Sequence, residues 1–312
     1  MAKIAVHLIT GFLGSGKTSL IKEYLQNNQS QDTALIINEI GEISLDERVL
    51  QHYSSERILK LSSGCVCCNK RLDLIESLKN ILNEYELRGQ KPKRIIIEST
   101  GLANPAPILW TLMNDIFLSN HFFVKSVVTC IDSINALSHL ENEEAIAQII
   151  ASDLIIICKS DIKKPSSELI QKLKSINLSL EIKDKAELDF QNIFDINHRF
   201  LTNEIPTNKH EQSFDTISLS FDNPLEWNAF GVWLSMLLHK WGKKILRVKG
   251  VLDINENFLI AINGVGHIIH SPTHIPKDRQ GSSLVFITRG FESKQILDSL
   301  NGFKRLLEIN MS

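Results

Sequence analysis

The chain has 312 residues, and 34 Lys and Arg against 36 Asp and Glu leave a formal net charge of -2. That balance argues against a binder of nucleic-acid backbones, which needs surplus cation to displace counterions from phosphate. Hydrophobic residues fill 43% of the positions, with 15 Gly and 8 Pro, so the chain can bury a sizeable core and does not read as disordered.

In chain order, short apolar runs at Ile4 to Ile9, Ala34 to Ile37, Ile58 to Leu61, Ile95 to Ile97, Val124 to Ile131 and Leu154 to Cys158 read as buried parallel strands. Between them lie segments of helical period, clearest from Leu72 to Leu87, where Leu74, Ile75, Leu78, Ile81, Leu82 and Tyr85 share one face. The alternation predicts an α/β domain with a doubly wound, mostly parallel sheet, whose ligands bind at the carboxyl ends of the strands. The polar stretch Thr202 to Gln212 reads as a linker. Beyond it, strands at Ile217 to Phe221, Leu246 to Leu252, Phe258 to Ile262 and Leu284 to Thr288, with helices at Leu225 to Trp241 and Ser293 to Leu300, predict a smaller α+β unit. The expected domains are 1–203 and 213–312, in keeping with the size limit of a single core. The N-terminus runs straight into a strand, five Cys make no disulfide framework, and no apolar run approaches the roughly 20 residues of a bilayer span. A cytoplasmic protein without a membrane partner is expected.

Gly11, Phe12, Leu13, Gly14, Ser15, Gly16, Lys17, Thr18 follow the first strand and precede a helical pattern from Ser19 to Gln26. This is the G-x-x-x-x-G-K-[ST] phosphate loop in its required context. Its backbone N–H groups and the start of the helix, with Ser19, would cradle phosphates. Lys17 would neutralise charge between the terminal phosphates, and the Thr18 hydroxyl would bind Mg2+. Glu98, at the tip of the Arg94 to Ile97 run, is the acidic partner expected to hold that ion. Cys158, Lys159, Ser160, Asp161 resemble the N-K-x-D base-reading element except at the first position. An Asp at position 161 accepts from the two donors of guanine, which adenine lacks. A cap on a following helix is the other reading of Asp161.

Cys65, Cys67 and Cys68 place three sulfurs in a turn ahead of a helix. Thiolates are stabilised by helix N-termini and by soft metals such as Zn2+. C-x-C-C is too tight for a complete structural zinc site, and an incomplete thiolate set suits an ion that is passed on. A redox pair or plain packing are the competing readings. Cys130, inside an apolar run, and His7, inside the first strand, read as core residues.

Together these residues resemble the CobW-like family of P-loop GTPases, which includes metal-insertion and zinc-transfer proteins. The resemblance covers nearly the whole chain. It rests on Gly11 to Thr18, on Asn38, Glu39, Ile40, Gly41, Glu42 and Asp46, on Gly64 to Cys68, Glu98 to Gly101 and Lys159 to Asp161, and in the C-terminal part on Arg247 to Gly250 and Ser283 to Gly290. It implies a GTPase, cycling between GTP and GDP, whose nucleotide state controls a metal held at the Cys turn and delivered to a client apo-metalloprotein. Zn2+ is the first choice of metal, and Co2+ or another divalent transition metal the alternative. The segment from Asn38 to Asp46 would then be a switch, with Glu39 among the metal-binding residues and Glu42 orienting the attacking water. Cys158 departs from the family pattern, and the chain lacks the His-rich stretch some members carry. His267, His270 and His274 read as ordinary strand and loop residues, with a second metal or partner site as the alternative. Two rival functions stand beside this one: a P-loop ATP-dependent kinase-like enzyme, and a non-catalytic metal-binding scaffold. The oligomeric state is left open, a homo-oligomer included.

Overall fold

The computed structural model describes residues 3–27, 33–37, 58–60, 69–190, 193–194, 214–266, 268–278, 280–290 and 293–310. The chain divides into two compact units, Met1–Gln171 with Leu180–Asn197, and Lys172–Ser179 with His198–Ser312.

The first unit is built on strands β1 (Ile4–Thr10), β2 (Thr33–Ile37), β3 (Ile58–Lys60), β4 (Arg94–Glu98), β5 (Phe122–Asp132), β6 (Leu154–Cys158) and β7 (Glu181–Asp184). They form one sheet in the order β3-β2-β4-β1-β5-β6-β7, and every pairing is parallel. Parallel neighbours need crossovers, supplied by α1 (Lys17–Asn27), α2 (Asn69–Leu87), α3 (Pro105–Asn114), α4 (Ile116–His121), α5 (Ala136–His139), α6 (Glu143–Ala151) and α7 (Ser167–Ile176). Buried on both faces, the central strands are mostly apolar, as in the all-buried β6 sequence LIIIC. One face packs Ile9, Leu35, Ile96, Val128, Cys130, Ile156 and Cys158 against Leu20, Ile21 and Tyr24 of α1 and against Phe194. On the other face the Thr129 hydroxyl donates to the Gln148 carbonyl of α6, so helices cover both sides, as expected. His7 is a core residue: its Nδ1 lies 2.7 Å from Ser126 Oγ, and its ring stacks on Phe194.

The second unit carries an antiparallel sheet in the order β11-β10-β9-β13-β8, with β12 paired to β10. These strands are β8 (Phe214–Phe221), β9 (Ile245–Asp253), β10 (Phe258–Val265), β11 (Ile268–Ile269), β12 (Thr273–Pro276) and β13 (Ser282–Arg289). Helices α8 (Trp227–Trp241) and α9 (Ser293–Asn310) pack on it: Phe230, Trp233, Leu234, Leu237 and Ile296 join Ile217, Val248, Leu252, Ile260, Leu284 and Phe286 in one core. Helix α8 starts at Trp227 rather than Leu225, because the Leu225 N–H is used by the Asp253 carbonyl and Glu226 caps the helix by accepting from the N–H groups of Asn228 and Ala229. Strand β8 begins three residues earlier than its apolar run, carried by the full pairing register with β13 from Phe221 back to Phe214. The expected linker, Thr202 to Gln212, lies outside the described residues.

Candidate functional site

The phosphate loop joins β1 to α1 at the carboxyl edge of the first sheet. Gly11 has φ +142°, and a Cβ there would fall 2.4 Å from the Cys130 carbonyl oxygen, so only glycine fits. A Cβ on Gly16 (φ +94°) would fall 3.2 and 3.3 Å from Cβ and Sγ of Cys158. Cys158 thus supports the loop from below, at the position where the N-K-x-D pattern has Asn. The Lys17 ammonium donates to the carbonyls of Gly11 (2.8 Å) and Phe12 (3.2 Å), placing a cation inside the curl. Ser15 Oγ is buried there without a hydrogen-bond partner among the described residues. An anionic oxygen, such as that of a phosphate, would accept a hydrogen bond from this hydroxyl. Gly14 and Ser19 are exposed at the rim.

Glu98 ends β4, the strand beside β1, with Ile9 in register opposite it. It is 1% exposed, and its Oε1 accepts from the Thr18 hydroxyl at 2.8 Å. This is not a solvated strand end. Ser99 is tied to β1 through its N–H to the Ile9 carbonyl and its hydroxyl to Thr10 Oγ1. The turn that follows lies against Leu13 of the phosphate loop at Gly101. It is held from behind by the fully buried Gln148 of α6, whose amide donates to the carbonyls of Gly101 and Ala103, both at 3.0 Å.

At the tip of β6, Lys159 adopts φ +61°. Its ammonium lies 2.8 Å from Asp132 Oδ2, at the tip of β5. Burial pushes the Asp132 carboxyl up, but hydrogen bonds from Lys159, the Ile134 N–H and Asn135 outweigh it and hold the group below the usual carboxylate range. His139 stands beside Phe12 of the loop, ring centroids 4.8 Å apart, and burial lowers its pKa against the opposing pull of Asp132. Ser160 donates to Asp184 of β7. Asp161 is exposed in a turn, and the next helix begins only at Ser167, so it caps no helix.

The structure therefore brings Gly11 to Ser19 and Glu98 together and sets Lys159 and Asp161 on the same sheet edge. Glu39, Glu42, Cys65, Cys67 and Cys68 lie outside the described residues, the thiol segment following β3 in the chain. Cys130 is a core residue whose thiol is pushed up by its hydrogen bond to Cys158 and by burial. Among the described residues no group of three or more His, Cys, Asp or Glu gathers to hold a metal. His274 is exposed on β12 against the Phe258 ring, the His270 N–H donates to the Asn263 carbonyl, and His267 is outside the described residues. Sequence reasoning missed Asp132, Asn135 and Gln148. Asp132 carries the same signature as Glu98, an acidic residue at the tip of an apolar run; Gln148 carries none.

Residues 5–186 match the model of the CobW/HypB/UreG nucleotide-binding domain, and residues 214–304 that of the cobalamin synthesis protein cobW C-terminal domain. The chain is 27% identical over 320 residues to the zinc chaperone YjiA of Escherichia coli, covering 98% of this chain and 100% of that protein. It is 34% identical over 188 residues to the zinc chaperone CobW of Sinorhizobium sp, covering 51% of this chain and 52% of that one. With the zinc-regulated GTPase metalloprotein activator 1 of Schizosaccharomyces pombe it shares 33% over 166 residues, covering 51% and 39%. The crystal structure of Zn(II)-bound YjiA GTPase from E. coli superposes with a TM-score of 0.71 at 24% identity, covering 97% of this chain and 99% of that one, which is a likeness of fold.

Proposed function

Because this chain belongs to the CobW/HypB/UreG family of nucleotide-binding proteins, we propose that it hydrolyses GTP and uses the nucleotide state to hold or release a transition metal, zinc first, for a client apo-metalloprotein. The observation that carries this reading is the folded phosphate loop with the Glu98 carboxylate brought 2.8 Å from Thr18 across two strands. Relatives named as zinc chaperones and as a zinc-regulated GTPase activator support the choice of nucleotide and cargo.

The loop N–H groups and the start of α1 bind the phosphates, and Lys17, already seated in the curl, meets the charge that builds on the γ-phosphate during in-line attack by water. Thr18 and Glu98 supply the hard oxygen ligands that Mg2+ takes, and the bound ion would screen charge between the terminal phosphates. Glu42 is assigned to orient the water and Glu39 to bind metal within the switch segment. The Lys159 stem and the Asp161 carboxylate read guanine. Zinc is the cargo, held by Cys65, Cys67 and Cys68, with Co2+ as the alternative. We assign residues 1–203 to the nucleotide and thiol functions and residues 213–312 to a separate C-terminal domain. No described helix is long and apolar enough to cross a membrane, and the cytoplasm is the compartment we assign.

Zinc titration of the apo-protein with GTP and Mg2+, with GDP, or with neither tests the coupling. GTP is expected to change zinc affinity about tenfold, zinc to change GTP affinity by the same factor, and Cys67→Ala to abolish tight zinc binding. Equal zinc affinity in all three states would leave only a scaffold, and ATP bound as tightly as GTP would remove the guanine assignment.

A further inference from the structure

The tips of β5 and β6 are joined more thoroughly than strand pairing requires. Asp132 is in register with Cys158. The next residue, Ser133, donates its N–H to the Cys158 carbonyl and its hydroxyl to the Lys159 carbonyl, at 3.1 and 2.9 Å. That carbonyl also accepts from the N–H groups of Ile162 and Lys163. These bonds hold Lys159 in a left-handed conformation that a non-glycine residue seldom adopts, a strain usually kept only where the surroundings over-determine it.

The side chain is secured as firmly as the backbone. Asp132, 1% exposed, offers one oxygen to the Ile134 N–H at 2.8 Å and the other to both Asn135 Nδ2 at 3.0 Å and Lys159 Nζ at 2.8 Å. A buried carboxylate is a poor device for stability alone, since an apolar pair of similar size often serves as well. What it accomplishes here is to pin the head of a long, flexible side chain that remains about one-third exposed. Lysine otherwise loses much rotamer freedom when it is ordered on binding.

We propose that Asp132, itself supported by Asn135, is a positioning residue for base recognition: it pre-orders Lys159 so that the stem is set to cover a guanine ring. The inference rests on the reading of Lys159 as the base platform given above. It assigns Asp132 no contact with the phosphates.

The test is a double-mutant cycle on nucleotide affinity, using fluorescent GTP and GDP analogues with Mg2+, and tripolyphosphate as a competitor that has no base. Asp132→Asn is expected to weaken GTP and GDP about tenfold, to leave tripolyphosphate affinity unchanged, and to have no further effect in a Lys159→Met background. Asp132→Glu should recover part of the loss. Asn135→Ala, which removes only support for the carboxylate, should weaken GTP in the same direction by a smaller factor, and it carries the test if Asp132→Asn does not fold. Tighter or unchanged GTP binding in Asp132→Asn, an additive cycle, or equal weakening of tripolyphosphate overturns the proposal. If Lys159→Met weakens GTP while Asp132→Asn does not, the positioning inference alone fails. If Lys159→Met leaves GTP affinity unchanged, the platform reading fails and the inference with it.

Discussion

A histidine inside a parallel sheet costs little while its ring stays neutral and a great deal once it must accept a proton. His7 is 1% exposed, with Ser126 as its hydrogen-bond partner and Phe194 against its face. Burial first, then the nearby charges of Arg94 and Lys125, bring its pKa down to about 3. The folded value lies below the unfolded one, so the unfolded chain takes up the proton more readily. The stability that neutral His7 contributes is complete above about pH 6.5 and is lost progressively as the pH falls toward 3. Between pH 7 and pH 5 that loss is about 2 kcal/mol. Denaturant unfolding of the protein and of His7→Gln at the two pH values should show a fall in stability smaller by about that amount in the variant. An equal fall in both would mean that His7 is not the group responsible.

Gln148 shows what one helix does for another element's turn. It sits on the inner face of α6 and donates to the carbonyls of Gly101 and Ala103, 47 and 45 residues away in the chain. Gln148→Leu preserves much of the shape but takes the donor from the buried Gly101 carbonyl and the half-buried Ala103 carbonyl, and should destabilise the protein by about 1–3 kcal/mol. Thermal unfolding checks this, and an unchanged midpoint would show that the clamp is dispensable. Such a residue was invisible in the sequence because its partners are fixed only by the tertiary fold, whereas the phosphate loop announces itself through local spacing. The strands follow the same division. The first six were legible because each carries a short apolar run, unbroken where the strand is buried on both faces, as in β4 and β6. Strand β7, EIKD, was not legible: it lies on the sheet's edge, every residue is only half-buried, and it pairs with β6 alone. The tiny β11 and the exposed β12 were missed for the same reason, and the boundaries of β8 and α8 were set by register and capping rather than by hydrophobic pattern. At the site, Glu98 was legible from its place at a strand tip; its bond to Thr18 needed the β4–β1 pairing.

For the whole molecule, a ligand that binds the folded chain and not the unfolded one must stabilise it by mass action. With GTP and Mg2+ at 100 times the dissociation constant the gain is about 2.7 kcal/mol. Lys17→Ala should abolish it, because the cation held between the Gly11 and Phe12 carbonyls is the one placed to meet phosphate. Chemical unfolding with and without nucleotide reads both outcomes, and an equal gain in the variant would place the nucleotide elsewhere. The strand order carries a consequence for how such a protein can be re-purposed. Neighbouring strands stand about 4.8 Å apart, so the end of β3, from which the thiol-bearing stretch departs, is three steps or about 14 Å from β1 and five steps or about 24 Å from β6. Traffic between those flanks runs across the grain of the sheet, by way of the tips of β2, β4, β1 and β5. On the proposed assignment, which gives the ion to the thiols that follow β3 in the chain and the base to the tip of β6, substitutions that retune the cargo can accumulate without disturbing the letter being read.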